Sequence, residues 1–84
     1  MVYYVYILKS ESTDRYYIGS TGDVEKRLKE HNAGKTRSIK AFRPYRLIYK
    51  EELPTNREAR QREYFIKSQK SRKFIESLIH RGVA

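Results

Sequence analysis

The chain has 84 residues, with 19 Lys and Arg against 10 Asp and Glu, a formal net charge of +9 and no Cys. This length leaves room for a single domain, residues 1–84, with a modest core, and argues against a large enclosed cofactor pocket. The lack of cysteine excludes disulfides and thiolate metal sites, and the surplus of positive charge points to a polyanionic partner, nucleic acid before any other.

Val2 to Lys9 is rich in β-branched and aromatic residues and predicts a first strand. It shows neither a basic leader nor a small-residue cleavage site, and nothing approaches the ~20 apolar residues of a membrane span, so a soluble cytoplasmic protein is expected. Arg15 to Thr21 predicts a second strand, and Ser10 to Asp14 between them has turn chemistry of hairpin length, giving an antiparallel pair. Val24 and Leu28 recur at i, i+4 within a helix predicted from Asp23 to Ala33, with Thr21 or Asp23 as N-cap and Gly34 placed just past its end. Lys35 to Arg43 is basic and aperiodic and predicts a loop, and Pro44 then introduces a third strand, Tyr45 to Lys50. Thr55 to Glu58 fits a capping box that opens a helix ending near Gln69. Ser71 caps a third helix, whose stripe of Phe74, Ile75, Leu78 and Ile79 runs to Gly82. The order β-β-α-β-α-α predicts an α+β (α/β) architecture, a small three-stranded antiparallel sheet flanked by helices.

Four features exceed what a core alone needs. Tyr6 and Tyr17 lie in paired strands, but symmetric pairing about the turn sets Ile7 opposite Tyr17, so the two tyrosines share a face only with a bulge. The plainer alternative is that both are amphipathic packing residues. Gly19 marks either a close approach by another group or a bulge at a strand end. Arg27 and His31 are one turn apart on the first helix, where an Arg can fork to a phosphate and a His can exchange a proton near neutral pH; the alternative is a solvated edge. Glu63 falls within the apolar stripe between Ala59 and Ile66, where a carboxylate needs a partner or a metal. An i, i+4 ion pair with Lys67, or contact with Arg60, is the competing explanation.

In order and spacing, Val5-Tyr6-Ile7, Tyr17-Ile18-Gly19, Arg27-Leu28 with His31-Asn32, and Ala59 leading to Glu63 resemble the GIY-YIG nuclease superfamily, and in particular its small bacterial stand-alone members, over residues 2 to 80. The resemblance implies a three-stranded sheet flanked by helices that cuts phosphodiester bonds with one divalent metal, Mg²⁺ or Mn²⁺. By matched position it assigns catalytic roles to Tyr6, Tyr17, Arg27, His31 and Glu63, with Glu63 as metal ligand. The first-motif glycine is Val5 in this chain, and the polar Asn that some members carry after the glutamate has no clear counterpart between Lys67 and Lys73.

Such hydrolysis needs an activated water, a clamp on the phosphoryl oxygens and help for the departing 3′ oxygen. Mg²⁺ uses only one or two carboxylates besides water and substrate phosphates, so Glu63 suffices. Either tyrosine is a candidate to position or deprotonate the water, and the resemblance implies 5′-phosphate and 3′-hydroxyl products. Lys35, Arg37, Lys40, Arg60 and Lys67 are the candidate backbone-binding cations. Without a recognition helix or zinc finger, cutting with little sequence specificity is expected, on DNA rather than RNA, with a protein partner or a homodimer as a source of specificity. Two other classes compete: a catalytically idle nucleic-acid-binding module, whose strand tyrosines stack on unpaired bases, and a basic scaffold for a ribosomal or repair partner.

Overall fold

Val5, Tyr6, Ile7 and Leu8 are consecutive and each at most 1% exposed. Side chains of a strand alternate between its two faces, so the strand that carries these four is covered on both sides. The computed structural model describes residues 2–35 and 40–82, giving only the backbone of Lys40. In it this strand, β1 (Tyr3–Ser10), is the centre of a three-stranded antiparallel sheet, between β2 (Tyr16–Thr21) and β3 (Tyr45–Leu53). One face, with Tyr6 and Leu8, packs on Val24 and Leu28 of α1 (Val24–Asn32) and on Phe42 of a 3₁₀ turn, Lys40–Phe42. The other, with Val5, Ile7 and Ile18, packs on Ala59 and Ile66 of α2 (Asn56–Ser68) and Leu78 of α3 (Arg72–Gly82). The element order is the one expected. No helix among the described residues is long and apolar enough to cross a membrane.

Helix ends follow their local chemistry. Asp23 caps α1 by accepting from the Lys26 N–H, Thr55 caps α2 by accepting from the Glu58 N–H, and Ser71 caps α3 by accepting from the Phe74 N–H. After α1, Gly34 takes φ +81°, and the N–H groups of Gly34 and Lys35 bond the carbonyls of His31 and Glu30, each at 3.1 Å. This is the Schellman ending, and it explains glycine at that position.

Two expectations are corrected. β3 runs three residues beyond Lys50 because Glu51 is held there, accepting from Arg62 Nε at 2.8 Å and from the Tyr49 hydroxyl at 2.6 Å. The hairpin register also differs: Leu8, not Ile7, pairs with Tyr17, and Tyr6 pairs with Gly19. The Ser10 N–H closes the loop on the Arg15 carbonyl at 2.9 Å, while the Ser10 hydroxyl accepts from the Ser12 and Thr13 N–H groups and donates to the Phe42 carbonyl at 2.5 Å. Tyr6, Leu8, Tyr17 and Gly19 therefore share one face with no bulge between β1 and β2. The register shift lies instead between β1 and β3, at Ile7/Leu8.

The end of α1 is fastened to the start of β3 by one side chain. Asn32 Oδ1 accepts from the Tyr45 N–H at 2.6 Å, and Asn32 Nδ2 donates to the Tyr45 carbonyl at 3.0 Å. Replacing Asn32 by Ala leaves both backbone groups of a buried residue without these bonds, and is expected to lower stability by about 1–3 kcal/mol in urea unfolding; an unchanged midpoint would contradict this role.

Candidate active site

Strand parity divides β2 between the two layers: Tyr17 and Gly19 face α1, whereas Ile18 and Ser20 face α2. Because β2 is an edge strand, side chains from both layers can meet around it. They do so in an open cleft of about 470 Å³ lined by Tyr6, Tyr17, Gly19, Ser20, Arg27, Arg60, Glu63, Tyr64 and Lys67.

On the α1 side, the Tyr6 hydroxyl lies 3.0 Å from His31 Nε2, and the His31 and Tyr17 rings meet edge to face at 4.8 Å between centroids. Tyr6 and Tyr17 are 6.3 Å apart by the same measure. His31 is fully buried, so it is no solvated edge; it completes the stripe begun by Val24 and Leu28. Burial, and then the nearby Arg27 charge, push its pKa down, so the neutral imidazole is held. Burial also pushes the Tyr6 hydroxyl up to about 12, while its hydrogen bond with Arg27 pulls the other way. A neutral imidazole can accept from the Tyr6 hydroxyl, which can in turn accept from Arg27. Arg27 is also paired with Glu30, Nη1 to Oε1 at 3.2 Å.

Gly19 makes room for this arrangement. A Cβ there would overlap the Tyr6 hydroxyl and lie 2.6 Å from its Cζ. The close approach anticipated at this glycine is made by a neighbouring side chain.

On the α2 side, Glu63 is half-buried with both oxygens engaged. Oε1 accepts from the Ser20 hydroxyl at 2.7 Å and Oε2 from Lys67 Nζ at 2.6 Å. The ion pair with Lys67 thus exists, and it lies within the cleft. Among the described residues no group of three His, Cys, Asp or Glu is placed to hold a metal, which leaves Glu63 as the carboxylate lining this cleft.

Of the candidate cations, Arg60 and Lys67 line the cleft, while Lys35 is exposed just past the end of α1 and is not among its lining residues. Arg37 and the side chain of Lys40 lie outside the described residues. Ser20 was not singled out from sequence; only alternation along β2 hints that it faces α2, and nothing local links it to a residue 43 positions away.

A family profile for the GIY-YIG catalytic domain matches residues 2–75, which takes in every cleft residue. The chain belongs to the GIY-YIG family. Relatives include the UPF0213 protein YazA of Bacillus subtilis, 41% identical over 66 residues that cover 77% of this chain and 66% of YazA, so the chain spans just under two thirds of that protein. A UPF0213 protein of Bacillus licheniformis is 40% identical over 85 residues, covering 96% of this chain and 87% of the relative. The solution NMR structure of the UPF0213 protein BH0048 from Bacillus halodurans matches with TM-score 0.59 and 37% identity, over 95% of this chain and 84% of that one. Membership in the GIY-YIG family implies nuclease-like activity on nucleic acid, and GIY-YIG nucleases generally use a divalent metal.

Two outcomes follow from the packing around Tyr6. Gly19→Ala is expected to cost about 1–3 kcal/mol of unfolding free energy, because the Tyr6 ring is enclosed and cannot swing aside; a near-neutral change in urea would contradict this. The second concerns acid. With its pKa depressed in the fold, His31 contributes stability that is complete above about pH 6.5 and is lost as pH falls through the lower folded value. Melting temperature is expected to fall from pH 7 to pH 5, and His31→Gln to flatten that slope.

Proposed function

We propose that this chain is an endonuclease-like hydrolase that cuts phosphodiester bonds with little sequence preference, on DNA rather than RNA, using Glu63 to hold Mg²⁺ or Mn²⁺. The observation that carries the reading is the convergence of Tyr6, Tyr17, Arg27 and Glu63, drawn from two strands and two helices, on a single cleft whose wall also holds Arg60 and Lys67.

The donor set fits such an ion. Glu63 offers hard carboxylate oxygens at an open surface, Ser20 fixes one of them, and Mg²⁺ completes its shell with water and substrate phosphates. The ion, when bound, supplies positive charge against the negative charge that grows on the phosphoryl and departing oxygens. Arg27 binds a phosphoryl oxygen through its planar fork of donors. Tyr6, with its pKa pushed to about 12 by burial, keeps its proton at neutral pH and is poorly suited to act as the base. Tyr17 is the tyrosine that meets the water, oriented by its contact with His31. His31, fully buried behind both rings, is a positioning residue. The expected products carry 5′-phosphate and 3′-hydroxyl ends.

The Glu63–Lys67 pair favours one rival, an idle nucleic-acid-binding module in which that carboxylate is only structural. Incubation of labelled single-stranded, duplex and branched DNA, and of RNA, with and without Mg²⁺ or Mn²⁺, separates the two. Metal-dependent scission that Glu63→Gln lowers by at least about 100-fold supports the nuclease. Undiminished cutting by Glu63→Gln, or EDTA-resistant binding without scission by the unaltered chain, would overturn it.

A further inference from the structure

The cleft contains an aromatic side chain that this chemistry leaves unused. Of the eight tyrosines, seven are buried or half-buried, while Tyr64, next in sequence to Glu63, is 75% exposed and lines the cleft. Among the described residues its ring enters no aromatic pair, cation–π contact or hydrogen bond. Phe65 beside it is occupied differently, its ring and that of Phe74 meeting edge to face at 5.9 Å. Arg60 lies one turn before Tyr64 and Lys67 one turn after, and all three are exposed and line the same cleft. Lys67 is engaged with Glu63, which leaves Arg60 beside the ring. A flat ring with an exposed guanidinium one turn away, set beside the site of a reacting phosphate, has the makings of a nucleotide site, the ring offering a stacking face and Arg60 meeting a backbone phosphate.

We propose that Tyr64 is the stacking platform for an unpaired nucleobase adjoining the scissile phosphate, with Arg60 on a flanking phosphate. The cleft thereby selects single-stranded or unpaired DNA over intact duplex, in which base faces are already stacked on one another. The strand tyrosines are buried or half-buried, whereas the ring of Tyr64 on α2 is open to a base. This inference rests on the part of the nuclease reading which makes the cleft a nucleic-acid site.

The test uses the full chain in EDTA with a short single strand of DNA carrying 2-aminopurine and with a blunt duplex of the same sequence. The unaltered protein is expected to quench the 2-aminopurine and to bind the single strand more tightly than the duplex. Tyr64→Ala is expected to abolish quenching and weaken single-strand binding about tenfold, with less than about a twofold effect on the duplex. Tyr64→Phe retains both properties, and Tyr64→Leu, apolar but not aromatic, loses them. Failure of the unaltered chain to bind the single strand, wild-type quenching by Tyr64→Ala, or an equal loss on both DNAs would overturn the platform. Scission by the unaltered chain in Mg²⁺ is scored separately: its absence alongside a Tyr64-dependent quench removes the nuclease reading and leaves the platform, while scission without that quench removes the platform alone.

Discussion

A phenol hydroxyl at the centre of a sheet has to be paired, because an unsatisfied polar group in such a place costs about 1–3 kcal/mol. Tyr6 sits on the middle strand under α1, and the hydroxyl finds His31 Nε2. That pairing dictates much else. The ring can reach His31 only by lying across Gly19, which fixes glycine there. The imidazole must in turn be buried, which holds it neutral and able to accept. Tyr17 then meets the imidazole edge to face, so three rings from β1, β2 and α1 settle one another's positions.

A sheet of three strands has another consequence. With β1 in the middle, β2 is an edge, and its outer side stays open to the layers above and below. The α1 layer brings neutral, buried groups and one guanidinium, whereas the α2 layer brings a carboxylate and exposed cations. A thicker sheet would keep these sets apart. Here they face one cleft, with the Ser20 hydroxyl holding Glu63 at the rim.

The charge of +9 is unevenly employed. Arg62 is taken up by Glu51, and Arg72 by Glu76 and the Asp14 carboxylate, with its guanidinium also over the Tyr16 ring. The Arg72 pairs are exposed and add little stability, whereas the Arg62–Glu51 pair is part-buried; all of them withdraw those cations from free phosphate binding. Arg60 and Lys67 remain at the cleft wall, and of these Lys67 is engaged with Glu63. The positive field of the whole chain is therefore general, while the groups that would meet a substrate phosphate are few.

Strands, helices and caps could be read directly from residues because they depend on neighbours a few positions apart: Thr55 with Glu58, Ser71 with Phe74, Gly34 after α1. Local position alone left the motif tyrosines, Arg27 and Glu63 with plainer explanations; the order and spacing they share with the GIY-YIG family singled them out. Register was not legible, because one residue more in the Ser10–Arg15 loop closure turns Tyr17 from one face to the other, and that closure depends on Ser10 reaching the Phe42 carbonyl 32 residues away. The same limit hid Ser20 beneath Glu63, Asn32 on the Tyr45 backbone and the exposure of Tyr64. Local periodicity says which way a side chain leaves its own helix or strand; what it then meets is decided only when distant segments pack, since burial and pairing are properties of the assembled layers.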